Sequence, residues 1–481
     1  MTPTTLRRED GLGVVTPIRH RISALAPIIG PVRYDALLED AETFRRQFSG
    51  ATVWNVNSTA TGGGVAEMLQ TLVGYVRDLG VDMRWVVIAG EPDFFDVTKR
   101  LHNALHGHAS AHPLDAADSA VYERVSASNA GALVRRLRPG DVVILHDPQT
   151  AGLAPWLTRA GVRVVWRCHI GSDRHTEITR SAWRFLRRYL ADIDGYVFSR
   201  GAFAPDWVPA GCTWIIPPSI DPFAPKNAPQ EPATVLAVLT AAGLLDGPIP
   251  GEAPCFSGLD GSPGWITRRA EVVADRLPGP AEPMLLQVSR WDRLKDMAGV
   301  LDAFARYVAP RAECTLALVG PAVHGVTDDP EGAQVYAACV RQWQQTPPPI
   351  RARIMIAALP MDDVDENAVV VNALQRHATV VTQKSLAEGF GLTVAEAMWK
   401  GRAVIGSAVG GIPDQIVAGA GLLLPDPSDL PTFGDQVRQL LADEALRNGL
   451  GAAAREHVRK YFVGDVHLRR YAAMFSTLST T

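Results

Sequence analysis

The sequence predicts an α/β protein of two facing Rossmann-like domains with a central cleft. Three observations carry this. Short β-rich apolar runs alternate with amphipathic stretches twice along the chain, once between residues 51 and 216 and again from residue 284. Several runs are apolar on successive residues, as in Asp141–His146, which suits parallel strands covered on both faces. A proline-rich stretch, Pro217–Pro225, separates the two series and reads as a domain junction. At roughly 150 residues per domain, the 481 residues suffice for two such halves.

The elements follow in order. Residues 1–48 read as a lead-in with one helix, Arg33–Gln47. Ala51–Val56 is a strand, residues 57–64 a glycine-rich turn, and Val65–Leu79 an amphipathic helix. Strand, turn and helix in this order open a doubly wound sheet. Met83–Ile88 continues as a strand and Phe95–Leu105 as a helix. Asp141–His146, Val162–Arg167, Gly195–Ser199 and Cys212–Ile216 complete the first set of strands. Residues 227–280, rich in Ala, Gly and Pro, yield only a short helix near Ala233–Leu244. Met284–Ser289, Cys314–Val319, Arg353–Ala357, Ala378–Thr382 and Ala403–Gly406 are the strands of the second series. Helices near 428–475 close the chain. The expected domains are 1–220, with the helix near 463–481 packing back on it, and 221–462.

Composition narrows the function classes. With 47% hydrophobic and 20% charged residues the chain reads as an ordinary soluble globular protein. A formal net charge of −4 does not suggest broad nucleic-acid binding. The N-terminus shows no charged-then-apolar leader pattern, and no apolar run reaches the roughly 18 residues of a spanning helix. No membrane attachment is expected, and the expected location is the cytoplasm. Cys168, Cys212, Cys255, Cys314 and Cys339 form no C-x-x-C pair, so they read as small buried hydrophobes rather than zinc or redox groups. Asp192-Ile-Asp194 and Asp363-Val-Asp365 have D-x-D spacing without the strand context of a metal site. No metal or resident cofactor is expected.

The most informative segment is residues 383–400. A strand ends near Thr382, a loop carries Glu388, and Gly389, Phe390 and Gly391 lead into a helix bearing Glu396. The first backbone N–H groups of that helix, including those of Leu392 and Thr393, lack internal partners and favour an anion. Glycines there let the backbone approach a ligand closely. Glu388 can reach a sugar hydroxyl, and Glu396 can accept bonds from a diol such as a ribose. A second anion-binding feature, Ser289–Asp296, follows the first strand of the second series. Its Arg290 and Lys295 suit a diphosphate. Gly63 and Gly64, before the first amphipathic helix, are a weaker third. They match neither G-x-G-x-x-G nor a P-loop, so a dehydrogenase reading fails.

These residues resemble the donor site of the large retaining GT-B glycosyltransferase family that includes sucrose and glycogen synthases. Asn57–Glu67, Phe94–Asn103, Gln287–Asp296 and Gln383–Ser385 narrow the resemblance to trehalose synthases of the glycosyltransferring type. It covers most of residues 50–475. It implies reversible joining of a nucleotide-activated glucose to free glucose, giving α,α-trehalose with retention. It also implies that Arg290 and Lys295 bind diphosphate, that Gly389 to Thr393 line phosphate and sugar, and that Glu388 holds donor hydroxyls and Glu396 the ribose. His169 would lie beside the donor sugar, with Asn372 as a pocket wall. Asp147 would hold the acceptor in domain 1–220, with Asn57, Lys99 and Trp85 as weaker acceptor-side candidates, Trp85 taken alone reading as core. The partners implied are a nucleotide sugar and glucose. A homodimer is compatible with the sequence and not required by it.

Three rival readings share the motifs. A trehalose phosphorylase would use phosphate and glucose 1-phosphate. A related glucosyltransferase would use another small acceptor. A non-catalytic sensor would bind the nucleotide sugar without turnover.

Overall fold

The computed structural model describes residues 5–18, 20–61, 64–110, 112–248, 251–323 and 330–478. The chain divides into two compact units, one of residues 1–219 with 462–481 and one of residues 220–461.

The strands of the first unit are β1 (Thr5–Glu9), β2 (Leu12–Thr16), β3 (Val53–Asn57), β4 (Met83–Val87), β5 (Val142–His146), β6 (Arg163–Cys168), β7 (Gly195–Phe198) and β8 (Thr213–Ile215). They form one sheet in the order β1-β2-β4-β3-β5-β6-β7-β8. Strands β3 to β8 are parallel, and β1 and β2 join antiparallel at one edge. Residues of β3 and β5 are buried throughout, as the apolar runs require. The lead-in expected for residues 1–48 is corrected here. Asp10 (φ 49) and Gly11 (φ 85) make a two-residue turn with both φ positive, which matches strand twist and closes a hairpin. The helix Pro31–Gln47 packs beside the C-terminal helix Gly464–Leu478, where Phe44 and Phe475 meet edge to face at 5.1 Å.

Two long helices of this unit were not foreseen. Ala116–Val134 is initiated by a capping box in which Asp115 and Asp118 exchange side-chain-to-backbone bonds. Glu177–Leu190 is capped by Thr176. Both cover the sheet through Tyr122, Leu133, Trp183 and Leu186, all buried in one cluster with Trp166 and Phe198.

The second unit contains β9 (Cys255–Ser257), β10 (Pro263–Trp265), β11 (Glu271–Val273), β12 (Met284–Val288), β13 (Thr315–Pro321), β14 (Ile354–Leu359), β15 (Val380–Gln383), β16 (Val404–Ser407) and β17 (Leu422–Leu424). Its main sheet runs β11-β14-β13-β12-β15-β16-β17, parallel except for β11. Residues 227–280, nearly silent in the sequence, supply the β9–β10 hairpin and β11. Buried Glu366 pins this segment by accepting from the backbone N–H groups of Thr267 (2.6 Å) and Arg268 (2.8 Å). The core is a separate cluster that includes Leu285, Trp291, Phe304, Leu316 and Phe433.

All five cysteines are free. Cys168, Cys314 and Cys339 are buried, but Cys255 is exposed and Cys212 half-buried, so burial does not describe the whole set.

Candidate active site

Each of the two large sheets has a point where strand order reverses, and Lys295, Glu388 and Asp147 lie beyond the carboxyl ends of strands there. In the second unit β12 pairs with β13 on one side and β15 on the other. A crevice beyond the strand ends opens at such a switch point. The loop after β12 carries Arg290 and Lys295, and the loop after β15 carries Glu388.

Lys295 Nζ donates to both carboxylate oxygens of Glu388, at 2.7 and 2.6 Å. Ser385 Oγ adds a third bond to Glu388, at 3.2 Å. Lys295 and Glu388 side chains are only 15% and 10% exposed, so bulk water screens the pair weakly. Its geometry is built from beneath. Gln287 on β12 donates to the Lys295 carbonyl (2.6 Å) and accepts from the Lys384 N–H (3.1 Å), tying the two loops to one side chain. Asp296, with φ 51, caps the helix Met297–Ala303 and pairs with the buried ammonium of Lys384. That ammonium also donates to the Pro427 carbonyl at 2.8 Å. Arg290 stands further out, with a side chain 69% exposed and Asp292 at 3.5 Å.

Of the glycines in this loop, Gly391 needs the freedom of its residue type. Gly391 has φ 82 and begins the helix Leu392–Trp399. The loop Glu388–Gly391 lies against residues 410–411, where Gly411 N–H donates to the Gly389 carbonyl at 2.9 Å. Phe390 is buried, and Gln415 donates to its carbonyl. Leu392 and Thr393 are half-buried, and Thr393 donates to Gln383 at 3.0 Å.

Glu396 lies buried on that helix. Lys226 Nζ is 3.7 Å from its Oε1, while its Oε2 has no hydrogen-bond partner. A buried acceptor without a donor is costly, and a diol hydroxyl would supply one. Lys400, one turn on, donates to Asn227 (3.1 Å) and to the Glu396 carbonyl (3.1 Å). Burial pulls its ammonium down to about 7, with Glu396 opposing that fall.

Asn372 needs correction as a pocket wall. It is fully buried, its amide donates to the carbonyls of Pro225 (2.9 Å) and Ala228 (2.8 Å), and its oxygen accepts from Arg376. Both its donors are used in fastening residues 225–228 to the helix Val364–His377. Gly63 lies outside the described residues. Gly64 is the exposed first residue of its helix.

In the first unit the order reverses at β3, which pairs with β4 and β5. At the end of β5, Asp147 holds a left-handed backbone (φ 63), unusual for a side-chain-bearing residue. Its Oδ1 accepts from the His169 N–H at 2.7 Å, and its carbonyl accepts from Trp166 at 3.0 Å. Burial raises its carboxyl to about 7, against the pull of the His169 N–H and of Arg167. His169, half-buried after β6, contacts His146 at 3.0 Å through Nε2 and Nδ1 respectively. Burial, then the positive charge of Arg167, holds both imidazoles well below their ordinary range.

Asn57 also needs correction, while Trp85 is the core residue it reads as when taken alone. The Asn57 amide accepts from the Trp85 indole (2.7 Å) and donates to the Thr59 carbonyl (2.6 Å), so it shapes the turn after β3. Trp85 is fully buried core. Lys99 is exposed on the helix Pro92–Leu105.

Sequence reasoning missed Asn55, His146, Arg167, Gln287 and Lys384 as individuals. Arg167 is fully buried on β6, where it bonds His467 (3.2 Å), Tyr471 and the Ile216 carbonyl (3.2 Å). A charged residue inside an otherwise apolar strand is the signal that marks it. The D-x-D pairs are structural. Asp194 accepts from Val164 N–H at 2.7 Å, and Asp363 caps the helix Val364–His377. Among the described residues no group of three or more His, Cys, Asp or Glu could hold a metal ion. No helix among them is long and apolar enough to cross a membrane.

Residues 55–205 match the family model for the trehalose synthase N-terminal domain, and residues 271–457 match glycosyl transferases group 1. The trehalose synthase of Rubrobacter xylanophilus is 35% identical over 96% of this chain and 98% of its own. The chain belongs to the trehalose synthase family. A trehalose phosphorylase of Pleurotus pulmonarius is 28% identical over 88% of this chain but 59% of its own length. Among solved structures, a UDP-forming α,α-trehalose-phosphate synthase from Burkholderia xenovorans matches with a TM-score of 0.67 at 15% identity, over 90% of this chain and 100% of that one. The fold is GT-B, and membership makes the chain a glycosyltransferase of trehalose metabolism. The first family match contains Asn55, His146, Asp147 and His169, and the second contains Lys295, Glu388 and Glu396.

Proposed function

We propose that this protein is a retaining glucosyltransferase that joins the glucose of a nucleoside diphosphate glucose to free glucose, reversibly, forming α,α-trehalose. The observation that carries this reading is the Lys295–Glu388 pair at the switch point of the second unit. Its ammonium suits a diphosphate oxygen and its carboxylate suits sugar hydroxyls, as neighbouring parts of one donor. The glycine-led helix start at Gly391 offers backbone N–H groups to a phosphate. The unpartnered Oε2 of Glu396 suits a ribose hydroxyl, which favours a nucleotide donor over glucose 1-phosphate. Asp147 and His169 serve the sugar side in the first unit.

In this mechanism the acceptor hydroxyl attacks C1 from the face the diphosphate leaves. The bond from C1 to the phosphate oxygen breaks, the bond from C1 to the acceptor oxygen forms, and the acceptor proton passes to the departing phosphate oxygen. Lys295 and Arg290 stabilise the charge that develops on the diphosphate, which is where preorganised cations contribute most. Glu388 orients the sugar and forms no covalent bond. No metal is assigned a role.

The test is incubation of the purified protein with glucose and ADP-, UDP- or GDP-glucose, with the product identified by NMR. Trehalose with release of nucleoside diphosphate supports the reading. Trehalose formed only from glucose 1-phosphate and glucose moves the assignment to a phosphorylase. Nucleotide release without trehalose points to another acceptor. Tight nucleotide binding without turnover points to a sensor.

A further inference from the structure

His169 does not stand alone at the end of β6. Its Nε2 lies 3.0 Å from Nδ1 of His146, and Nε2 of His146 lies 3.1 Å from Oδ1 of Asn55. The two rings are close to parallel, 11° apart, with centroids at 5.3 Å. Asn55 and His146 are buried on β3 and β5, the strands that flank the switch point.

The chain of contacts fixes where protons sit. With the Asn55 amide turned so that its Oδ1 faces His146, as the structure has it, that oxygen only accepts, so Nε2 of His146 carries the hydrogen in this contact. Both imidazoles are held neutral by burial and by the charge of Arg167. A neutral His146 protonated at Nε2 has a lone pair at Nδ1, so His169 must supply the hydrogen from its own Nε2. Nδ1 of His169 is then left as an acceptor. The ring is held by one more restraint, since the His169 N–H donates to Asp147 at 2.7 Å.

We infer that Asn55 and His146 are positioning residues that set the tautomer of His169, so that it presents an acceptor nitrogen to a sugar hydroxyl. The inference rests on the proposed glucosyl transfer for its consequence, but the tautomer itself does not. A fixed acceptor selects a hydroxyl that donates and orients it. A ring free to exchange tautomers would offer the correct atom only part of the time. The effect on turnover should exceed that on donor affinity, because Lys295, Glu388 and Glu396, which carry most of the proposed donor contacts, lie in the other unit and are untouched.

The test reads the tautomer directly, by nitrogen NMR of the full chain labelled at histidine, alongside steady-state kinetics. His169 should show a hydrogen on Nε2 and a bare Nδ1. His146→Leu should release it into tautomer exchange and lower kcat about 10- to 100-fold, the scale expected when a positioned group loses its orientation, with a smaller change in the donor KM. His146→Asn restores an acceptor near the position of Nδ1 and should recover both the tautomer and most of kcat. Circular dichroism and thermal unfolding confirm that each variant is folded. His169 found with hydrogen on Nδ1 in the parent protein overturns the inference. So does a His146→Leu variant with an unchanged tautomer, or one whose kcat loss His146→Asn fails to recover. If the parent protein has the expected tautomer and makes no trehalose, the relay stands and the proposed reaction falls.

Discussion

Replacing Asp147 with Asn should alter the stability of the N-terminal unit in a way that depends on pH. Burial raises the Asp147 carboxyl to about 7 in the folded protein, whereas an aspartate in an unfolded chain titrates near ~3.9. Between those values the folded state holds a proton that the unfolded state has released. Stability therefore falls as pH rises from about 4 to about 7 and is flat above that. Each unit corresponds to about 1.4 kcal/mol, so the ceiling between pH 5 and pH 8 is about 3 kcal/mol. Asp147 is only half-buried by surface area, and water near it supports about half of that, roughly 1–2 kcal/mol. Asparagine does not titrate, tolerates the left-handed backbone, and keeps an oxygen for the His169 N–H. Measured against the parent protein, the Asn variant should gain stability on going from pH 5 to pH 8. For a unit of this size the gain in Tm is roughly 2–8 °C. Differential scanning calorimetry at the two pH values measures it. A Tm difference between variant and parent that is the same at both pH values refutes the reasoning. The same variant should turn over more slowly if Asp147 holds the acceptor sugar, so stability and activity should move in opposite directions at pH 8.

Three further predictions concern the second unit. In a double-mutant cycle of Lys295→Met and Glu388→Gln, either single change should destabilise the unit by about 2–3 kcal/mol and the double change by less than their sum, because each single change strands a weakly hydrated charge; additive losses in urea unfolding would contradict this. Gly410→Ala should cost about 2–4 kcal/mol and disorder the Glu388 loop, since a Cβ there collides with the Glu388 carbonyl at a residue with φ 54; a thermal scan showing no loss would refute it. If the proposed transfer holds, chelator should leave the rate of nucleoside diphosphate release unchanged, because Lys295 and Arg290 would carry the charge on the leaving group; a rate restored by added magnesium would overturn that.

Much of the fold is legible in the sequence. The apolar runs at 141–146, 284–289 and 314–319 mark parallel strands because burial on both faces removes the alternation an exposed strand would keep. Other elements were harder to see for definite reasons. Thr5–Glu9 exposes four of its five residues, so hydropathy hides it, although the Asp10-Gly11 turn was a readable hairpin signal. The helix Ala116–Val134 is rich in alanine and small polar residues with a weak apolar stripe, and only its Asp115–Asp118 capping box announces it. The segment 251–273 takes its shape from Asp365 and Glu366, about a hundred residues further on, which no local pattern encodes. At the candidate site, the motif residues Lys295, Glu388 and Glu396 could be named from local context, while Gln287, Lys384 and Asn55 acquire meaning only when distant strands become neighbours. Asn57 and Asn372 show the converse. Polar residues placed near a site by sequence are taken up by the chain's own donors and acceptors, which is the commoner fate of a buried amide.

The mutual grip of Lys295 and Glu388 has a consequence for discrimination among ligands. A molecule that engages Lys295 alone, such as inorganic phosphate, pulls the ammonium away and leaves a poorly hydrated carboxylate behind. A free sugar that engages Glu388 alone leaves the ammonium in the same position. Each partial ligand must therefore work against an ion pair it cannot replace. A molecule carrying phosphate and sugar hydroxyls together replaces both contacts at once and meets no such penalty. In the proposed reaction the pair would therefore work as a coincidence detector, responding to the joined donor more strongly than the separate responses to its fragments would add up to.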